Sequence, residues 1–131
     1  RCRPRFAHEY ALSRLRMEGY HLAVASNSTR DTVMLMMEKA SLAPYLDFKL
    51  SNQDVTKSKP DPEIYLKAIE RMGLSPKECL IVEDNPNGIQ AATASGAHVM
   101  VVKEVDEVNY ARIKARIAEI DQAAKSVGSA A

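Results

Sequence analysis

Residues 79–96 read CLIVEDNPNGIQAATASG. Cys79-Leu80-Ile81-Val82 is an unbroken apolar run, the pattern of a strand covered on both faces. It stops abruptly at Glu83-Asp84-Asn85. Pro86, tolerated in a first helical turn, opens a small-residue helix carrying Ile89, Ala92 and Ala94 that ends near Ser95. Ala97–Val102 then reads as a second buried strand. Strand, acidic turn, helix, strand is a parallel βαβ unit, and its crossover is expected to be right-handed.

The same alternation extends outward. Upstream, Asp61-Pro62 starts a helix whose apolar stripe is Tyr65, Ala68, Ile69 and Met72, and Gly73 closes it. Residues 51–60 are polar and aperiodic, a loop, and Phe48–Leu50 is a short strand. Val33, Met36, Met37 and Ala40 share one face of a further helix, with Ser28 and Asp31 spaced as an imperfect capping box. His21–Ser26 is a strand, and residues 5–18, with Ala7, Ala11, Leu12 and Leu15, form the first helix. Downstream, Tyr110, Ile113, Ile117, Ile120 and Ala124 mark the last helix, and the tail after Lys125 reads as frayed. The expectation is an α/β fold: a Rossmann-like parallel sheet flanked by helices, in one domain over residues 1–131.

Composition removes several function classes. Of 131 residues, 46% are apolar and 27% charged, which argues against wholesale disorder. Lys and Arg number 18 against 17 Asp and Glu, so the net charge of +1 gives no reason to expect nucleic acid or an anionic membrane as partner. No apolar run approaches the ~20 residues of a membrane span. Cys2 and Cys79 form no disulfide framework, and with three isolated histidines a zinc site is not expected. A reducing, cytoplasmic setting is the default.

In a parallel α/β sheet, ligands bind at the carboxyl ends of the strands. Three sets of polar residues fall there. The Ser26 hydroxyl, with the N–H groups of Asn27 and Ser28, suits a phosphate at a helix N-terminus, although Ser26–Thr29 also read simply as helix caps. Lys59 precedes the stiff Pro60-Asp61-Pro62, which could aim its ammonium with little mobility; taken alone it reads rather as a solvated loop lysine. Glu83 and Asp84, adjacent acids ending a buried strand, repel one another unless something compensates. Mg²⁺ does this with one or two carboxylates plus phosphate oxygens and water. The alternative has one acid capping the next helix and the other facing solvent.

In this order and spacing, the three sets resemble the haloacid dehalogenase-like superfamily of phosphatases, in its β-phosphoglucomutase-like subgroup with a helical cap. Val24–Ser28 (VASNS) resembles the second motif of that family, Lys59–Tyr65 (KPDPEIY) the third, and Ile81–Gly96 the fourth. The likeness runs from about Arg5 to Val102. It implies that Ser26 and the Asn27 amide hold the transferred phosphoryl group and that Lys59 steadies it together with the nucleophile. It implies that Asp84 binds Mg²⁺, with Glu83 assisting directly or through water. Asn85 stands where serine is frequent, and Ser58 where glycine is. Members that cleave carbon–halogen bonds without metal lack the acidic pair, so Glu83-Asp84 favours phosphate chemistry over dehalogenation, and the resemblance implies a small phosphorylated metabolite as substrate.

The family's first motif, Asp-x-Asp-x-Thr or Val, supplies the attacking aspartate and the general acid–base. It does not occur in these residues, and neither do the strand before it or the cap. The resemblance therefore implies a core truncated at its N-terminus, inactive alone in aspartyl-phosphate chemistry, with a hole in the sheet between residues 21–26 and 79–82. Direct pairing of those strands, self-association, or a complementing N-terminal segment would close it, because buried unpaired backbone is costly. The competing reading is a non-catalytic pseudo-phosphatase or binding module for Mg²⁺, phosphate or a partner. A phosphoacceptor signalling domain fits less well, because His21–Ser26 ends in serine.

Overall fold

A computed structural model describes residues 6–104 and 107–130; side chains are described for residues 9–104 and 107–124. Arg1, Cys2, Arg3 and Arg5 lie outside them. Five helices and four strands alternate: α1 Phe6–Met17, β1 Ala23–Ala25, α2 Arg30–Lys39, β2 Phe48–Leu50, α3 Glu63–Met72, β3 Leu80–Glu83, α4 Pro86–Ala94, β4 His98–Val101 and α5 Tyr110–Ala130. Single 3₁₀ turns lie at Ala43–Tyr45, Asn52–Asp54 and Pro76–Glu78.

Local chemistry explains most of the boundaries. Thr29, not Ser28, caps α2: its hydroxyl accepts from the Thr32 N–H at 3.3 Å. Pro62 occupies the N-cap of α3 rather than its first turn, and the Asp61 carboxylate accepts from the Glu63 N–H at 3.0 Å. Gly73 closes α3 in the left-handed region at φ 71°, where a Cβ would be strained. Asn85 caps α4 by accepting from the Gly88 N–H at 2.9 Å, so neither Glu83 nor Asp84 serves as that cap. The last helix runs from Tyr110 to Ala130.

The strands are parallel, as the alternation requires. They form two pairs, β1 with β2 and β3 with β4, rather than one continuous sheet. Ala23, Val24 and Ala25 lie opposite Phe48, Lys49 and Leu50; Leu80 through Glu83 lie opposite His98 through Val101. Among the described residues no backbone hydrogen bond joins β1 to β3, so direct pairing does not close the expected hole. The Ser26 N–H donates to the Leu50 carbonyl and the Val102 N–H to the Glu83 carbonyl, each at 3.0 Å. By the alternation of a parallel ladder, the backbone groups of Ala23 and Ala25, and of Leu80 and Val82, then face the open edges. This also explains why β3 is only half-buried before Glu83, where an apolar run suggested full cover.

The core lies beneath these edges. Phe48, Leu50, Ile64, Tyr65, Ala91 and Ala92 form one buried cluster, with Ala23, Ala25, Ile81 and Val99 packed against it. Ile64 is fully buried, worth roughly 1.5–3 kcal/mol of apolar burial. The small residues Ala91 and Ala92, with no exposed surface, let α4 approach the strands closely. The cluster thereby fixes α3 and α4, the two helices on either side of the acidic turn in the chain.

Candidate functional site

The site is built where β1 and β3 end. Lys59, in the loop before α3, is drawn inward, so that its side chain and that of Glu83 are each only 9% exposed. Its Nζ donates to Glu83 Oε2 at 2.7 Å and to the Ala25 carbonyl at 3.1 Å. One ammonium group thus spans the gap between the unpaired strand ends. The solvated-loop reading of Lys59 is set aside by this burial. A buried ion pair needs such extra partners, because Coulomb attraction alone does not offset the desolvation of two charges.

Tyr65, on the buried face of α3, completes the cluster. Its hydroxyl donates to Glu83 Oε2, and Lys59 Nζ lies 4.8 Å from its ring centroid. Burial, the hydrogen bond to Glu83, and the Glu83 and Asp84 charges together hold the Tyr65 hydroxyl well above the usual phenol range. The phenol therefore stays protonated and remains a donor. Space for the Glu83 carboxylate comes from Gly88, because a Cβ there would overlap it. In the sequence Tyr65 belongs to an apolar stripe and closes the Lys59–Tyr65 motif, and Gly88 lies within the Ile81–Gly96 motif, but neither is assigned a role at the site. The available signal was a phenol in a buried aliphatic stripe, whose hydroxyl requires a partner.

Ser26 and Asn27 sit at the end of β1, beside Lys59. The Asn27 Oδ1 accepts from the Lys59 N–H at 3.4 Å, which ties the two loops together. The Ser28 N–H donates to Ser26 Oγ at 3.1 Å, so that amide is already engaged. The phosphate-directed group expected there thus reduces to the Ser26 hydroxyl and the Asn27 N–H. Asp84 is exposed, next to Glu83 and close enough for its charge to act on Tyr65.

Among the described residues no cluster of three or more His, Cys, Asp or Glu side chains could hold a metal by itself. Glu83 and Asp84 offer hard carboxylate oxygens and no soft or imidazole donors. Two carboxylates fit Mg²⁺, which takes its remaining ligands from water and phosphate, and do not fit a closed zinc site.

Other expected features fall outside this cluster. A cavity of about 350 Å³, lined by Arg30, Phe48, Lys49, Leu50, Asp54 and Arg71 among others, lies on the far side of β2 and contains none of the site residues. His21 faces solvent beside Asp47, and burial pushes the Cys79 thiol up, away from reactivity. Among the described residues no helix is long and apolar enough to cross a membrane.

The parallel α/β architecture thus brings the lysine and the acidic turn together at the strand ends. A family model described as haloacid dehalogenase-like hydrolase matches residues 3–102, and the chain belongs to that family. A phosphoglycolate phosphatase of Nitrosospira multiformis is 37% identical over 91 residues, which cover 70% of this chain and 40% of that protein. A phosphorylated carbohydrates phosphatase of Thermotoga maritima is 30% identical over 86 residues, covering 66% and 40%. The crystal structure of a hydrolase of the same family from Entamoeba histolytica superposes with a TM-score of 0.68 at 27% identity, over 78% of this chain and 48% of that one. The chain therefore spans less than half the length of these relatives.

Proposed function

We propose that these residues form the phosphate- and Mg²⁺-binding portion of a phosphatase or phosphomutase acting on a small phosphorylated metabolite. The observation that carries this reading is the Lys59 ammonium, held between Glu83 and the Ala25 carbonyl at the joint end of β1 and β3. The names of the two phosphatase relatives support the substrate class.

In this reading the Ser26 hydroxyl and the Asn27 N–H bind phosphoryl oxygens, and Lys59 neutralises charge that builds up on them. Asp84 and Glu83 hold Mg²⁺, which would neutralise negative charge on the phosphoryl oxygens. Lys59 is pre-positioned by Glu83 and Tyr65, so no reorganisation is needed when substrate arrives. The 131 residues contain no Asp-x-Asp, so the attacking carboxylate of the aspartyl-phosphate step must come from a segment outside them. A strand seated between the open edges of β1 and β3 would deliver it to Lys59, as an N-terminal segment of a longer chain or a separate one. A cytoplasmic setting is part of the same proposal.

The test is hydrolysis of p-nitrophenyl phosphate with Mg²⁺, by this chain alone and with an Asp-x-Asp-bearing N-terminal core segment from a relative added. Activity appearing only on addition supports the reading. A chain that binds phosphate and Mg²⁺ but gains no activity is a binding module, the alternative that the absent nucleophile favours.

A further inference from the structure

We propose that Tyr65 is a positioning residue that selects which oxygen of Glu83 faces a divalent cation. The inference rests on the Mg²⁺ reading above and extends it to Tyr65, a residue to which the resemblance assigned no role. Both donors reaching the Glu83 carboxylate, the Lys59 ammonium and the Tyr65 hydroxyl, meet the same oxygen, Oε2. Among the described residues no hydrogen bond reaches Oε1. Oε1 is not sealed in either, since the one fully buried side-chain polar atom without a partner among them is Asn52 Oδ1. The carboxylate is therefore asymmetric, with two donors on one oxygen and, among the described residues, none on the other.

Two features fix that asymmetry. The absence of a Cβ at Gly88 admits the carboxylate from one side. The Tyr65 ring is buried in the core cluster, so its hydroxyl has a fixed approach, whereas a lysine ammonium on a flexible stem would follow the carboxylate if it rotated. Without the phenol, Glu83 can turn about its last torsion and Lys59 can bridge both oxygens. Oε1 would then be shared with the ammonium and weakened as a metal ligand. Groups that orient a ligating carboxylate typically change metal affinity 10–100-fold when removed.

The experiment compares the wild-type chain with Tyr65→Phe, using Mn²⁺ alone as the probe and following water-proton relaxation, at a temperature where circular dichroism shows both folded. The Tyr65 hydroxyl proton of the metal-free wild type is sought in parallel by NMR. The expected result is a slowly exchanging hydroxyl resonance, lost in Glu83→Gln, together with a roughly tenfold weaker Mn²⁺ affinity in Tyr65→Phe. Equal Mn²⁺ affinity in the two folded proteins overturns the positioning role while leaving the metal reading intact. No Mn²⁺ binding by the wild type overturns both. If Tyr65→Phe does not fold, a rapidly exchanging, undetectable hydroxyl proton in the wild type overturns the proposal, and a protected one supports it.

Discussion

A Cβ on Gly88 would overlap the carboxyl carbon and both oxygens of Glu83. The first turn of α4 and the last residue of β3 are therefore matched as closely as two core side chains. In Gly88→Ala two effects compete. Alanine is the better helix former by about 1 kcal/mol. Overpacking against a carboxylate pinned by Lys59 and Tyr65 costs about 1–3 kcal/mol. The net expectation is a loss of stability in urea unfolding. In a Glu83→Ala background the overlap is gone, so the same glycine substitution should be neutral or stabilising. Equal effects in both backgrounds would show that Glu83 has another seat.

Lys59→Ala should destabilise the chain as well as the site. The Lys59 side chain is as buried as that of Glu83. Removing one partner of a buried pair leaves an uncompensated charge, at a cost of about 3–5 kcal/mol. Tyr65 still donates to Glu83, which places the expected loss near the lower end. The double variant Lys59→Met/Glu83→Gln should recover most of it. Chemical denaturation of the three variants measures this, and a Lys59→Ala chain as stable as wild type would mean the pair is solvated.

Acid should loosen the loop that carries Lys59, through Glu63. Its carboxylate accepts from the Thr56 N–H at 3.0 Å, the Lys57 N–H at 3.0 Å and the Thr56 hydroxyl at 2.9 Å. These bonds, led by the Thr56 amide, hold its pKa down to about 2 from the ordinary 4.5. A depressed folded pKa contributes stability that is present above the unfolded value and lost as pH falls through the folded one. The window is thus from about pH 4.5 down to 2. Urea midpoints across it should fall less steeply in Glu63→Gln than in wild type, and parallel slopes would exclude Glu63.

The open strand edges predict a pattern of hydrogen exchange. Ser26 and Val102 amides are bonded within their strand pairs, whereas those of Ala25 and Val82 face the edges. The latter two should exchange much faster in dilute solution. Protection that grows with protein concentration would identify a second copy as what closes the gap. Protection independent of concentration would mean that β1 and β3 pair within one chain.

The alternation of helices and strands was legible because the strands are short apolar runs and the helices carry apolar stripes, several of them bounded by a capping residue or a glycine stop. The three site segments were legible because they fall just after strand ends or beside stiff prolines. What one-dimensional reading could not supply was burial. Lys59 looks solvated in sequence and becomes interior because its ammonium is held by Glu83 and the Ala25 carbonyl. Tyr65 looks like one more core residue until Glu83 is placed above it. The cap of α4 went to Asn85 rather than to an acid, a choice decided by backbone geometry at residues 85–88.

The central claim is that the ends of β1 and β3 bind phosphate and Mg²⁺ together. The most direct test is amide NMR of the ¹⁵N-labelled chain, titrated with Mg²⁺ and then with inorganic phosphate, in wild type and Asp84→Asn. The predicted result is that Mg²⁺ shifts Glu83 and Asp84, that phosphate then shifts Asn27 and Lys59, and that Asp84→Asn weakens the Mg²⁺ response tenfold or more. Shifts confined to other surfaces, or an Mg²⁺ response unchanged by Asp84→Asn, would contradict the account.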